Sequence, residues 1–309
     1  MERLWGGVEG GGTKFHCVLG RETAGAEKPE IVDERIIPTT TPAETLGAVA
    51  GFFSQHQETH TLAGLGVACF GPVDLDPASP RYGFITTTPK PGWADCDVVG
   101  YLRSALNVPV AWETDVNGAL IGERRWGAAQ ELRSAVYFTI GTGIGGGALV
   151  EGRPVHGLLH PEMGHLPITA LPDVPPQSQQ GGCPYHGEGC LEGVASGPAL
   201  ERRAGRPAAE IPTGDPIWED EARYLAYAAV VATLMLSPQR VILGGGVVLK
   251  QPHLYPRIRA HFLSILNGYL QHPAITERIE TYIVPPQLGH RAGVYGALAL
   301  ALDAAGERS

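Results

Sequence analysis

VYFTIGTGIGGGALVEGRPVHGLLHPEMGH, from Val136 to His165, places two apolar runs on either side of a glycine-rich loop. The runs Val136–Ile140 and Ala148–Val150 are typical of strands, so the stretch predicts a hairpin. Its loop, Gly141–Gly146, can bring backbone N–H groups close to an anion because glycine carries no side chain. Three polar residues close the stretch: His160, Glu162 and His165. The stretch therefore predicts a phosphate loop and a group of polar substrate ligands on one hairpin.

A shorter hairpin of the same kind opens the chain, VEGGGTKFHCVL at 8–19. Beyond each hairpin, helix and strand patterns alternate, which is typical of an α/β fold. Thr41, Pro42 and Glu44 form a capping box that opens the first helix. Further helices are predicted at Asp97–Leu106, Val116–Trp126, Tyr224–Leu236 and Leu254–Tyr269, and a last strand at Thr281–Val284.

The repeated hairpin indicates a duplicated unit and two α/β lobes. We predict an N-terminal lobe at 1–126, completed by a C-terminal helix at 292–304. The predicted C-terminal lobe covers 127–291 and carries an insertion at about 151–191. A cleft between two such lobes is a common place for a ligand.

The composition limits the classes of partner. The 309 residues carry a formal net charge of −9 and no basic block, which argues against nucleic acid and anionic membrane as main partners. Five cysteines, an odd number spread over the chain, predict no disulfide framework and a reducing, cytoplasmic location. No apolar leader follows Met1, and the most apolar helical stretch, Tyr224–Leu236, is too short to span a bilayer. We therefore expect a globular protein without a membrane partner.

Each glycine loop alone is weak support for a phosphate site, because a tight hairpin turn has the same composition. Gly141, Gly143 and Gly146 match the spacing of the dinucleotide fingerprint. That fingerprint needs a helix after the loop, whereas 147–152 are typical of a strand. No lysine follows a glycine in the chain, so the P-loop motif is absent. An ATP site is therefore indicated only by the two hairpins together.

Six short motifs occur together along the chain. They are Glu9-x-Gly11-Gly12-Thr13-Lys14, Gly71-Pro72-Val73, Thr114-Asp115-Val116-Asn117, Gly141-Thr142-Gly143-x-Gly145-Gly146, Glu162-Met163-Gly164-His165 and Cys183…His186…Cys190-Leu191-Glu192. As a set they resemble the ROK sugar kinases and are most similar to the bacterial fructokinase branch. The resemblance implies the actin-like ATPase fold: two ribonuclease-H-like lobes, with ATP and the sugar in the interlobe cleft. Repressors of that family carry a helix-turn-helix before the first glycine loop, and only seven residues precede Val8, so we expect a kinase.

The resemblance assigns the nucleotide-binding residues. The β- and γ-phosphates and their Mg²⁺ are expected beside the first hairpin, at Glu9, Gly11, Gly12, Thr13 and Lys14. Thr142 and Gly143 are expected on the opposite side of the phosphates. Gly244, Gly245 and Gly246 are expected near the adenosine. Glu9 stands where many relatives carry Asp, and either carboxylate can hold Mg²⁺ through water. Lys14 as an ordinary solvated strand residue is the alternative.

Asp115 is the predicted general base. It lies between a strand end and a helix start, and phosphoryl transfer to a sugar hydroxyl needs a base within hydrogen-bond reach. The alternative is that Asp115 only caps the helix that begins at Val116. A nearby helix N-terminus is expected to keep Asp115 ionised. Asn117 is expected to position this turn or the sugar, or to make a hydrogen bond at the helix start. Thr114 stands before the base, where most glucose-specific relatives have Asn.

Four residues in the insertion have the chemistry of a structural zinc site. His165, Cys183, His186 and Cys190 supply two imidazoles and two thiolates, which suits tetrahedral Zn²⁺ with no open position. The segment 166–182 shows no element of its own, and a bound metal would offset the entropy cost of ordering it. We expect one ring nitrogen of His165 to face the zinc and the other the sugar. His156 and His160 are alternative metal ligands.

The resemblance assigns the sugar-binding residues: Gly71, Pro72, Asn117, Glu162, His165 and Glu192. A metallohydrolase box is a different interpretation of His160–His165. Such a box needs a helix, which Pro161 and Gly164 would break.

Together these features predict an ATP- and Mg²⁺-dependent kinase that converts D-fructose to fructose 6-phosphate, with Asp115 as the base. The first alternative is a mannokinase, or a broad-specificity hexokinase or glucokinase of the same family. A catalytically inactive sugar-binding protein is the alternative from another class. Family members are commonly homodimers, so a homodimer is expected.

Overall fold

The computed structural model describes residues 2–168, 182–304 and 306. Most of the segment 166–182, in which the sequence predicts no element, lies outside the described residues. The chain divides into two compact units. Unit 1 comprises 1–130, 156–160 and 291–309, and unit 2 comprises 131–155 and 161–290.

The described residues form strands and helices in alternation. The strands are β1 (Arg3–Gly10), β2 (Lys14–Arg21), β3 (Glu30–Pro38), β4 (Thr61–Cys69), β5 (Phe84–Ile85), β6 (Cys96–Asp97), β7 (Val110–Thr114), β8 (Ala135–Ile140), β9 (Ile144–Val150), β10 (Arg153–Pro154), β11 (Arg240–Gly244) and β12 (Ile283–Val284). The helices are α1 (Pro42–Gln57), α2 (Val98–Leu106), α3 (Asp115–Trp126), α4 (Leu191–Ala195), α5 (Gly197–Ala204), α6 (Ile217–Leu236), α7 (Gly246–Lys250), α8 (Leu254–Leu266), α9 (Pro273–Thr276), α10 (Ile279–Tyr282) and α11 (Ala292–Ala304). Short 3₁₀ turns in the described part of the chain lie at Met163–His165, Ala208–Glu210 and Gly289–Arg291. No helix among the described residues is long and apolar enough to cross a membrane.

Each unit contains a five-stranded sheet, and the two sheets share one topology. Their orders are β3-β2-β1-β4-β7 in unit 1 and β10-β9-β8-β11-β12 in unit 2. In both, the first three strands are antiparallel and the last two join in parallel. The two glycine hairpins, β1–β2 and β8–β9, occupy the same place in their sheets. This correspondence is what a duplicated unit predicts.

Local sequence signals explain where the helices begin and end. At α1 the Thr41 hydroxyl accepts a hydrogen bond from the Glu44 N–H (3.4 Å) and Pro42 is the first helical residue, as the capping pattern predicts. Helix α6 begins at Ile217 rather than Tyr224, because the acidic residues of its first turn favour a helix N-terminus. Helix α8 ends at Leu266, before the predicted end, where Asn267 adopts a left-handed φ of 48°.

The last predicted strand is shorter than the sequence suggests. Only Ile283 and Val284 pair with β11, and the residues before them form the helical turn α10. Two pairs of parallel strand residues are enough to complete the sheet of unit 2 at its edge.

Apolar side chains form a buried core in each unit. In unit 1, Phe15, Phe52, Phe53 and Trp93 are fully buried. In unit 2 the core lies between the sheet and helices α6 and α8, and Trp218 and Phe262 are its largest fully buried side chains. Fully burying such side chains contributes about 1.5–3 kcal/mol each, so each unit has a core of its own.

Helices α3 and α11 approach each other closely in unit 1 because glycines line their contact. A Cβ at Gly122 would lie 2.7 Å from the backbone nitrogen of Gly296, and a Cβ at Gly296 would overlap the carbonyl oxygen of Gly118. In the neighbouring sheet, a Cβ at Gly66 of β4 would overlap the carbonyl oxygen of Ala297 in α11. This packing fixes the position of α3, whose first residue is Asp115.

Replacing Gly296 with Ala should destabilise the protein, because the added methyl meets backbone that cannot move aside. We expect a loss of about 1–3 kcal/mol in the free energy of unfolding, measured by urea titration. Gly51→Ala is the matched control: Gly51 is an exposed residue of α1 with open space around it. That change should instead stabilise the helix, by about 0.5–1 kcal/mol. Equal urea midpoints for the two variants would contradict the proposed packing.

Candidate active site

The turn between β1 and β2 is fixed by hydrogen bonds on one side and exposed to solvent on the other. The Gly11 N–H donates to the Lys14 carbonyl (2.8 Å), which closes the turn between β1 and β2. Thr39, at the end of β3, donates its hydroxyl to the Gly11 carbonyl (2.8 Å) and its N–H to the Thr13 carbonyl (3.0 Å). Gly12, Thr13 and Lys14 are exposed. The turn is therefore rigid and can present its outer face to an anion.

The turn of the second hairpin has a carboxylate beside it. The Gly141 N–H donates to the Gly143 carbonyl (2.9 Å), and the Ile144 N–H donates to Glu192 Oε2 (3.0 Å). A Cβ at Gly143 would lie 2.7 Å from that same oxygen, so a side chain there would displace the Glu192 carboxylate. Thr142 is exposed. Unit 2 thus brings Glu192, which the resemblance assigns to the sugar, next to residues assigned to the phosphates.

The third glycine group begins where β11 ends. Gly245 has φ of +87°, and a Cβ there would overlap the backbone of Ile140 at the end of β8. A residue with a side chain would be strained in that conformation and would collide with β8. Gly244 ends β11 and Gly246 begins α7. The predicted adenosine residues therefore lie beside the start of the 141–143 turn.

Asp115 lies at the turn between β7 and α3. Thr114, not Asp115, is the N-cap: its hydroxyl accepts a hydrogen bond from the Asn117 N–H (3.2 Å). Asp115 is the first residue of the helix, half-buried, and its Oδ1 accepts from the Val116 N–H (2.9 Å). Since Thr114 already caps the helix, the capping alternative does not explain Asp115.

Two carboxyl groups of unit 1, Glu9 and Asp115, have raised pKa values. Burial raises the pKa of Asp115 from its usual 3.8 to about 6, against the lowering effect of the Val116 N–H. The pKa of Glu9 rises to about 7 because of burial and the charge of Asp115, partly offset by Lys14. The N–H at the helix start lowers the pKa of Asp115, as expected, but burial has the larger effect, and a pKa of about 6 still leaves the group ionised at neutral pH. Two carboxyl groups with raised pKa values in one place are typical of a functional site.

The Gly71–Pro72 turn follows β4 in the same unit. Its peptide bond is cis, and the Val73 N–H donates to Nε2 of His160 (3.0 Å). His156 Nε2 lies 2.8 Å from Oε2 of the buried Glu113. The two histidines considered as alternative metal ligands are therefore both engaged within unit 1.

The four predicted zinc ligands form a cluster in unit 2. The ligand atoms of His165, Cys183, His186 and Cys190 all lie within 4.8 Å of one another. Nδ1 of His165 is 3.5 Å from Cys183 Sγ and 3.7 Å from Cys190 Sγ, and Nδ1 of His186 is 3.6 Å from Cys183 Sγ. Tetrahedral Zn²⁺, with Zn–S of about 2.3 Å and Zn–N of about 2.0 Å, requires S···N separations of about 3.5 Å. The donor set and its spacing both fit zinc.

The segment that leads into this cluster is a 3₁₀ turn rather than a helix. It covers Met163–His165, and Glu162, just before it, is exposed. A Cβ at Gly164 would overlap the carbonyl oxygen of Ile144 in β9, which explains the glycine. A metallohydrolase box needs an α-helix here, so that interpretation is excluded. With Nδ1 of His165 in the cluster, its Nε2 is left for another partner.

Comparison with known proteins identifies the family. The profile of the ROK family matches residues 5–304. The chain belongs to the ROK family. The resemblance drawn from the six motifs is therefore confirmed.

Relatives and a solved structure cover nearly all of this ROK chain. It is 43% identical to the fructokinase of Pediococcus pentosaceus, over 96% of this chain and 97% of that protein. It is 45% identical to a putative fructokinase of Bacillus subtilis, over 97% of this chain and 96% of that protein. The crystal structure of a ROK family glucokinase from Streptomyces griseus, in complex with glucose and AMPPNP, matches with a TM-score of 0.77 at 25% identity, over 97% of this chain and 99% of that chain. The predicted α/β, actin-like ATPase fold is confirmed.

Sequence reasoning missed the contact between Glu113 and His156 in this ROK protein. Glu113 ends an apolar strand pattern, VAWET, and a single acid there carries no motif. The two residues are 43 positions apart, so no local periodicity connects them. The one signal available was that an acidic residue in a buried strand needs a partner.

The raised pKa of Asp115 predicts how stability depends on pH. As pH rises from about 4, the unfolded state loses the Asp115 proton first, so the free energy of unfolding falls until about pH 6 and then stays low. Asn cannot ionise and keeps an acceptor for Val116. Asp115→Asn should therefore stabilise the ligand-free protein by about 1–3 kcal/mol at pH 8 and by less at pH 4.5, measured by urea unfolding. An equal gain at both pH values would contradict the burial of this charge.

Proposed function

We propose that the chain is an ATP- and Mg²⁺-dependent fructokinase that phosphorylates the 6-hydroxyl of D-fructose. The observation that carries the proposal is 43–45% identity, over nearly the whole chain, to proteins named fructokinase, against 25% to the glucokinase of known structure. Thr114 supports the same choice, since by resemblance most glucose-specific kinases carry Asn there.

Asp115 is the proposed general base. The 6-hydroxyl oxygen forms a bond to the γ-phosphorus, the bond from that phosphorus to the bridging oxygen of ADP breaks, and the hydroxyl proton passes to Asp115. Because Val116 holds Oδ1, the carboxylate is oriented and Oδ2 is left for the sugar. A pKa of about 6 leaves the group ionised at neutral pH and more basic than an exposed aspartate.

The two glycine turns and Glu9 are the proposed nucleotide ligands. The exposed backbone of Gly12 and Thr13 and the Lys14 ammonium are proposed phosphate ligands, as are Thr142 and Gly143. Glu9 would hold Mg²⁺ through water, and the ion would neutralise charge on the phosphates. The raised pKa of Glu9 supports this assignment, because a cation would relieve the repulsion between Glu9 and Asp115. The homodimer and the cytoplasmic location stay predictions.

A structural zinc is the other proposed ligand. By holding Nδ1 of His165, the cluster would leave Nε2 to donate to a sugar hydroxyl, with Glu162 and Glu192 as further sugar ligands. Cys183 is fixed independently of any metal, since its N–H and carbonyl both pair with Gly187 (2.9 Å each). The metal would therefore complete a site that the backbone already shapes.

ADP release measured against a panel of hexoses tests the substrate. We expect kcat/KM for D-fructose to exceed that for D-mannose and D-glucose by about tenfold or more. Preference for mannose or equal use of all three would favour the mannokinase or broad-specificity alternative. Hexose binding by calorimetry without ADP release would favour an inactive sugar-binding protein.

Asp115→Asn should lose turnover by about 10²-fold or more while the protein stays folded, because the hydroxyl proton has no acceptor. In the wild type, kcat/KM should fall as pH drops below about 6, where Asp115 becomes protonated. Asp33→Asn, at a half-buried surface pair with His56, is the control and should leave turnover unchanged. Near wild-type turnover of Asp115→Asn would overturn the assignment of the base.

Purified protein should contain about one zinc per chain, measured by atomic emission, since the four donors close a tetrahedral site. Cys190→Ser should lose the metal, whereas Cys96→Ser, a free cysteine outside the cluster, should keep it. Metal-free wild type with full activity after chelation would refute a structural zinc.

A further inference from the structure

The contact between His156 and Glu113 has no part in the roles assigned above. Glu113 is only 3% exposed at the end of β7, and its Oε2 lies 2.8 Å from Nε2 of His156. An ionised carboxylate can only accept, so the ring nitrogen is the donor. The same contact raises the pKa of His156. His156 is thus a half-exposed side chain whose polar end is fixed on a buried carboxylate.

The other oxygen of Glu113 holds both residues that flank the turn of Asp115. Oε1 accepts from the Thr114 N–H (2.8 Å) and from Nδ2 of Asn117 (3.1 Å). Thr114 in turn accepts from the Asn117 N–H. Within the described residues, Asn117 Oδ1 is buried without a hydrogen-bond partner, so Glu113 is what orients this amide. The start of α3 therefore depends on the orientation of one carboxylate.

The segment that carries His156 is anchored at its other end as well. His160 is buried and accepts from the Val73 N–H (3.0 Å), next to the cis Gly71–Pro72 peptide. With both ends attached to unit 1, the segment 156–160 presents His156 to Glu113 in a fixed place.

We propose that His156 is a positioning residue, which fixes the turn of Asp115 by holding Glu113. It does not touch the reacting groups. Without its donor, Glu113 Oε2 is buried with no hydrogen bond, and the carboxylate can turn away from Thr114 and Asn117. Asp115 then loses its alignment while the nucleotide-binding turns keep theirs. The inference rests on the proposed role of Asp115 as the base.

His156→Leu should lower kcat by about 10- to 100-fold, the scale of misalignment at a reacting group, with KM for ATP within about twofold. His156→Gln keeps an N–H donor at a similar reach and should restore most of the turnover. The matched control is His56→Leu, which removes another histidine–carboxylate contact of unit 1, to Asp33 at 2.9 Å. A kcat of His156→Leu within twofold of wild type, or an equal loss in His56→Leu, would overturn the proposal.

A double-mutant cycle with Asp115→Asn separates positioning from general destabilisation. If His156 acts through Asp115, His156→Leu should cause no further loss of kcat in the Asp115→Asn background. A further tenfold loss there would contradict the proposal. Wild-type turnover of Asp115→Asn would instead overturn the proposed base, whatever His156 does. Thermal unfolding checks that each variant is folded; if His156→Leu is not, His156→Asn, which is too short to reach Glu113, replaces it in the cycle.

Discussion

The burial of two carboxyl groups, Glu9 and Asp115, is the constraint that sets the electrostatics of unit 1. Burial raises both pKa values, and the charge of Asp115 raises that of Glu9 further, so each carboxyl is less stable ionised than it would be in water. Such an arrangement persists only where the surrounding structure leaves no alternative. Here a Cβ at Gly293 of α11 would overlap the Glu9 carboxyl group, so the helix backbone closes one side of it. Ionising these groups therefore costs stability in the ligand-free protein, as is typical of functional sites.

Helix α3 connects this electrostatic arrangement to the packing of the unit. Its first residue is Asp115, Thr114 caps the helix, and Glu113 accepts a hydrogen bond from the Thr114 N–H. The glycines of α3 allow α11 to approach closely. A rigid helix on a glycine-lined contact keeps the carboxylate in one place, as the proposed proton transfer would require. Unit 2 has the same sheet order, with glycine turns at the ends of β8 and β11 and a Cys/His cluster beside β9.

Much of the fold could be predicted from the sequence because its signals are local. The glycine hairpins, the capping box at Thr41 and the set of Cys and His donors each lie within a few residues or match a known donor chemistry. Other features depend on distant neighbours. Thr114 and Asp115 are both good N-cap residues, so only the structure decides between them. The pKa of Asp115 depends on burial, and the Glu113–His156 contact joins residues 43 apart, neither of which has a local pattern.

The most direct test of the central claim is a crystal structure with D-fructose and a non-hydrolysable ATP analogue. We predict that a carboxylate oxygen of Asp115 lies about 2.6–3.2 Å from the 6-hydroxyl oxygen of the sugar, or is joined to it by one water. A bound fructose whose 6-hydroxyl meets a different base, with Asp115 more than about 5 Å away and no connecting water, would contradict it.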